Sequence, residues 1–268
     1  MTKYLYNFKL NFLSTFKYRF NTLVSLVFSN VRLIVIIFFW VLIYGGDTHR
    51  TFNGFSLHGI ITYMIIMDVI GTLAFCLRNA GFDYSGMIKS GSLGPALIKP
   101  RSLSAQIYFR NLAIGVTSMI PQAALVLCVL PFISRVMVWK IDAPGAAFIL
   151  LFLAVGTVSS HLLCSALGYM AFWLEEANAV MWSFAVLLNM AMGFFIPLDF
   201  FPKWSVPVLE MMPVSSWGYI QTKIYIGLYS AEKLTFLLIV QILWIGALLL
   251  VNAAVWKSGV KKFTSVGG

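Results

Sequence analysis

Residues 84–104 read YSGMIKSGSLGPALIKPRSLS, and this stretch separates two long apolar runs. Lys89, Lys99 and Arg101 give it a basic character, and Arg78 stands just before it. Gly86, Gly91, Gly94, Pro95 and Pro100 cut it into pieces. They leave room for a helix of about two turns starting at Pro95 or just before. A short basic helix between two membrane spans has two ordinary uses. It rests on anionic headgroups, or it docks a soluble partner.

The composition places that stretch at a membrane. Of 268 residues, 60% are hydrophobic and 10% are charged, against roughly 25% charged in a soluble domain. Each span then needs about 20 mainly apolar residues with its backbone satisfied internally. The formal net charge of +10 suits cytosolic loops facing anionic lipid. No soluble basic domain exists to bind nucleic acid. Cys76, Cys128 and Cys164 all lie in apolar segments without paired spacing, as expected of small buried side chains. The first residues mix aromatics with Lys and lead into an apolar run too long for a signal peptide.

The expected fold is all-α and integral to the membrane. Residues 1–21 form an amphipathic interfacial helix, with Leu5, Phe8, Phe12, Leu13, Phe16 and Phe20 on one face. Lys3, Asn7, Asn11 and Ser14 lie opposite, and Lys9 snorkels from the apolar arc. Six spans follow at 22–44, 57–77, 105–130, 145–172, 179–196 and 234–255, the third bent at Pro121. Residues 45–54 read as a polar loop and residues 78–104 as a cytosolic loop. Residues 194–232 carry Pro197, Pro202, Pro207 and Pro213 with Trp204 and Trp217. They are too apolar for a free loop and too interrupted for a span, so short helices dipping partly into the membrane are expected.

Six spans put both termini on one side. Counting Lys and Arg gives twelve on that side, including the 78–104 loop, and six on the other, among them Arg50, Arg135, Lys140, Lys203, Lys223 and Lys233. The termini and the basic stretch are therefore expected in the cytosol.

Two charges interrupt the spans. Arg32 and Asp68 sit about nine or ten residues from the cytosolic ends of the first two spans, hence at one depth at 1.5 Å per residue. A lone charge there costs roughly 2.5–3.5 kcal/mol on insertion scales, so the two are expected to pair. Such a pair is a structural pin or a polar element on a translocation path. His161 follows Ser159 and Ser160, but neighbours on a helix point about 100° apart and no G-x-S-x-G elbow presents a serine. With Ser165 and Gly168, these small residues favour close helix packing. Glu175 and Glu176 precede the fifth span and suit its helix dipole. There is no catalytic set, no metal motif and no G-x-x-x-x-G-K-[ST] loop in the chain. A transporter driven by ATP would need its motor on another chain.

Two segments together resemble the ABC-2 type permeases, the membrane subunits of ABC exporters. Lys89 to Arg101, KSGSLGPALIKPR, resembles their cytosolic Gly-x-Leu-x-x-x-Leu-Leu-x-Pro segment. Ile196-Pro197-Leu198-Asp199-Phe200-Phe201-Pro202-Lys203-Trp204, with Ile224-Tyr225-Ile226-Gly227, is similar to the Ile-Pro-Leu-x-x-Phe-Pro-x-Trp and Ile-Tyr-x-Gly segments of one six-span branch. Lys99 and Gly94 depart from that branch, where an Arg and an acidic residue are common.

The resemblance implies a type V exporter-like fold, with a coupling helix, a connecting helix at the N-terminus and an outer re-entrant helical hairpin. ATPase coupling would fall to Lys89, Ser92, Leu93, Pro95, Leu97, Ile98, Lys99, Pro100 and Arg101. An outer gate would fall to Pro197, Asp199, Phe200, Pro202 and Trp204. It implies a permease in the bacterial cytoplasmic membrane that exports a hydrophobic or amphipathic small molecule or peptide. Its partners would be two ATPase subunits, which bind the ATP and Mg, and a second permease copy or a related one. The alternative from a different class is a secondary transporter or channel using Arg32 and Asp68.

Overall fold

The computed structural model describes residues 2–15, 19–133, 137–138 and 140–263. Phe16, Lys17 and Arg135 lie outside the described residues, as do the side chains of Lys3, Leu5, Asn7, Ser14 and Arg19. Helices α1 (Thr2–Thr15) and α2 (Arg19–Tyr44) come first. Strands β1 (Thr51–Phe52) and β2 (Phe55–Ser56) follow, then α3 (Leu57–Arg78), α4 (Ala80–Lys89), α5 (Leu93–Leu97), α6 (Leu103–Ile133) and α7 (Ala143–Gly168). The chain ends with α8 (Ala177–Ala191), α9 (Val206–Met211), α10 (Tyr219–Ile226) and α11 (Ala231–Val260). Single 3-10 turns lie at Tyr169–Phe172, Leu198–Phe200 and Pro213–Trp217.

Among the described residues, four stretches are long and apolar enough to cross a membrane: Leu57–Lys89, Leu103–Cys128, Ala143–Phe172 and Ala231–Val260. Two shorter apolar helices, Asn30–Tyr44 and Ala177–Ala191, accompany them. Helix α8 falls short of the expected fifth span because its 15 residues reach only about 22 Å. It stops where Gly193 takes φ +73°, and a Cβ there would press on the Tyr63 hydroxyl that donates to Gly193 O at 2.7 Å.

Three other boundaries differ from the sequence reading. Residues 80–89, expected in a loop, continue the second span as α4, because Tyr84 and Ser85 are buried there. The polar loop at 45–54 leads into an antiparallel hairpin pairing Thr51 with Ser56 and Phe52 with Phe55. Its Asn53-Gly54 turn has positive φ at both residues, the signature of a type I′ hairpin. Helix α1 packs against α6, a contact that a helix lying in the interface does not anticipate.

Caps delimit the long helices. Ser56 Oγ accepts from Gly59 N at the start of α3, and Asp142 Oδ1 accepts from Gly145 N at the start of α7. Helices α3 and α7 form the centre, packing on each other and on α6, α10 and α11. Close approach along α7 depends on small residues. A Cβ on Gly156 would overlap Ser216 O, one on Gly168 would overlap Gly81 O, and one on Gly81 would lie 2.6 Å from Cys164 O.

Candidate functional site

At one end of the long Leu57–Lys89 rod, the chain turns through Ser90 and Ser92, whose hydroxyls share a hydrogen bond of 2.8 Å, into α5. The helix has five residues, shorter than the expected two turns. Leu93 is fully buried and Ala96 nearly so, which anchors α5 to the bundle. Leu93 thus fastens the helix from behind. Everything else expected to couple faces outward. Lys89, Ser92, Pro95, Leu97, Lys99, Pro100 and Arg101 are exposed, and Ile98 shows 85% of its surface. Arg78, counted with this basic stretch, turns inward and donates to Asn189 Oδ1 of α8 at 2.6 Å.

Further along the rod, Arg32 of α2 and Asp68 of α3 form an ion pair. Asp68 is 3% exposed and also accepts from Gln122 Nε2 of α6 at 2.5 Å. Asn30 Nδ2 donates to Gln122 Oε1 at 3.2 Å. The Arg32 guanidinium lies 4.5 Å from the centre of the Phe194 ring. Three helices and the start of the Pro-rich segment therefore meet at one polar cluster. Composition pointed to Arg32 and Asp68; Gln122 and Phe194 were missed. An amide inside an apolar run, directly after Pro121, is the signal that could have found Gln122.

At the opposite end from α5, residues 213–226 are the longest buried stretch among the described residues outside the long helices. Pro213 to Trp217 and Tyr219 to Thr222 are all buried, packed against α7 and α3. Asp199 joins them by an ion pair to Lys223 at 2.6 Å and by accepting from the Tyr219 hydroxyl at 2.9 Å. Glu210, 5% exposed, accepts from Tyr229 at 2.6 Å and pairs with Lys233 at 2.7 Å. Lys223 also lies 5.4 Å from the Tyr219 ring and 5.3 Å from the Tyr229 ring. Burial, reinforced by the Glu210 carboxylate, holds the Tyr229 phenol well above its ordinary value, so it stays a donor.

The predicted gate residues divide. Asp199 belongs to the buried ionic network. Phe200 packs on Trp40 at 4.9 Å and on Phe55 at 6.1 Å. Pro197 is buried, whereas Pro202 and Trp204 are exposed. Lys223 and Lys233, counted above as loop charges, are both paired. Glu210 went unnoticed although it is the one charge in an otherwise apolar PVLEMM run.

His161 does not face its neighbouring serines. Its Nε2 lies 2.9 Å from Ser104 Oγ across the α6–α7 contact. Ser159 instead accepts from Trp217 Nε1 at 3.0 Å, and Ser160 donates to Ala74 O at 3.1 Å. This is interhelical bonding by small residues.

Compared with known protein families, residues 31–267 match the family described as ABC-2 family transporter protein. No curated protein and no solved structure matches the chain significantly.

Proposed function

Since the chain belongs to the ABC-2 family of transporter proteins, and so is a membrane component of transport, we propose that it is the permease subunit of an ABC exporter. In this reading α5 is the coupling helix and docks on a separate ATPase subunit, which binds ATP and Mg. The cargo is a hydrophobic or amphipathic small molecule or peptide. The chain sits in the cytoplasmic membrane with both termini and α5 on the cytosolic side. The six expected spans fall on α2, α3 with α4, α6, α7, α8 and α11, the short α8 completed by the residues that follow it up to Ile196, and residues 194–232 form the outer re-entrant cap.

The observation that carries the reading is the exposed apolar pair Leu97 and Ile98, flanked by Lys99 and Arg101, on a helix fastened from behind by Leu93. An exposed apolar tip with a basic rim is a docking surface. A second permease copy is supported by Arg32, whose side chain is 39% exposed on a helix with apolar outward positions such as Val31 and Val35. A charge facing acyl chains is expensive; beside a partner chain or a water-lined path it is not.

The test is co-purification from detergent after co-expression with the product of any neighbouring gene that carries a Walker A loop. Wild type is expected to retain the ATPase and Ile98→Asp to lose it at unchanged permease yield. A wild-type chain that purifies without any ATPase overturns the reading.

A further inference from the structure

A cavity of about 350 Å³ opens beside α5, within the range of about 300–1,000 Å³ typical of ligand sites. Its deep wall holds Tyr84, Tyr169 and Trp256, three rings stacked edge to face with centroids 4.7 to 6.0 Å apart. Its α11 side carries Leu249, Asn252 and Ala253, and Leu97 closes it from the coupling side. Both hydrogen bonds of Asn252 use Nδ2, donated to Leu162 O and Leu248 O, so its Oδ1 remains to accept. The mouth continues into the outward surface of α11, where Leu249 and Leu250 are 52% and 75% exposed.

The unpaired charge around this mouth is basic, since Asp83, next to the lining Tyr84, is paired with Arg110. Lys99, Arg101 and Lys257 are exposed and stand within two residues of the lining residues Leu97, Ser102 and Trp256. Among the described residues no ion pair involves them. No acidic side chain lines the cavity. An apolar slot continuous with the exposed leucines of α11, an aromatic wall and a basic lip together describe a phospholipid of negative headgroup charge.

We propose that the cavity holds one anionic phospholipid of the leaflet facing α5, its acyl chain along Leu249 and Ala253 and its headgroup against Lys99, Arg101 and Lys257. The assignment of that leaflet as the cytosolic one rests on the orientation proposed above. The lipid would wedge between α5 and α11, so that membrane composition sets the posture of the coupling helix.

The experiment uses the full chain, without any ATPase subunit, in bilayer discs of phosphatidylcholine carrying a trace of phosphatidylglycerol with a diazirine on its acyl chain. After illumination, labelled peptides are mapped by mass spectrometry. Label is expected on residues 249–256 and 97–104, at least fivefold above that from the matching phosphatidylcholine probe. Ala253→Trp, which fills the slot, should lower it at least fivefold. Lys99→Gln, Arg101→Gln and Lys257→Gln together should erase the preference for the anionic probe without touching the slot. Ile98→Asp, which the coupling reading expects to release the ATPase, leaves labelling unchanged, so the two ideas fail separately. Equal labelling by both probes overturns the proposal, as does label confined to the outward faces of α2 and α8.

Discussion

Asp68 shows what a single carboxylate does inside this fold. It is nearly inaccessible and has Arg32 on one oxygen and Gln122 on the other. Removing one partner of a buried pair costs about 3–5 kcal/mol, because the other charge is left without compensation. Asp68→Ala is therefore expected to lower the midpoint of thermal unfolding in detergent and the steady-state level in membranes, and Arg32→Gln on its own to do less. The exchanged pair, Arg32→Asp with Asp68→Arg, should recover part of that loss if the attraction itself matters. A swap no better than the single variants would reduce the cluster to a sum of separate contacts. The same logic applies to Lys223, buried between Asp199 and two tyrosine rings. Lys223→Met alone should destabilise by a few kcal/mol, and Lys223→Met with Asp199→Leu by less, since an apolar pair of similar volume is often neutral. Unfolding midpoints of the two variants decide it.

Among the elements, α7 is the one the others are fitted to. Gly156 and Gly168 meet backbone first, so added bulk there cannot be absorbed by a rotamer change. Gly156→Val and Gly168→Val are each expected to cost at least about 1–3 kcal/mol. Gly246→Ala in α11, where a Cβ meets nothing within 4 Å, should stay within about ±0.5 kcal/mol. Melting curves of the three variants in one detergent make the comparison. Elements also show where reading the sequence succeeded. Apolar length alone marks Leu57–Arg78, Leu103–Ile133, Ala143–Gly168 and Ala231–Val260, because bilayer thickness sets one scale for all of them. It could not place the end of α4, since Tyr84 and Ser85 are no more apolar than loop residues. Tyr84 is covered by Tyr169 and Trp256, and Ser85 donates to Asn178 Oδ1, all far away in the chain. The Asn53-Gly54 turn was legible locally and was passed over in a segment counted only for its charges.

For the whole molecule, the candidate site was legible in outline and not in its connections. Arg32 with Asp68 could be paired from depth alone, and the exposed tip of α5 from its Gly and Pro punctuation. The ionic network through Asp199, Lys223, Glu210 and Lys233 could not, because it joins residues by the folding of residues 194–233 back onto α7. That folding is decided by burial of Trp217, Tyr219 and Ile220. One feature links these parts mechanically. The near-continuous helix from Leu57 to Lys89 has 33 residues, about 50 Å at 1.5 Å each. It touches the ionic network through Tyr63, whose ring meets that of Tyr219, carries Asp68 midway and ends just before α5. A rod of this kind transmits rotation as well as thrust, so its ends keep a fixed angular phase. One alanine inserted in the last turn after Gly86 would advance everything beyond it by about 100°. Ile98 would then face a new direction while Asp68 kept its partners. ATPase capture would fall with the polar cluster intact, a mistimed shaft with both of its bearings sound.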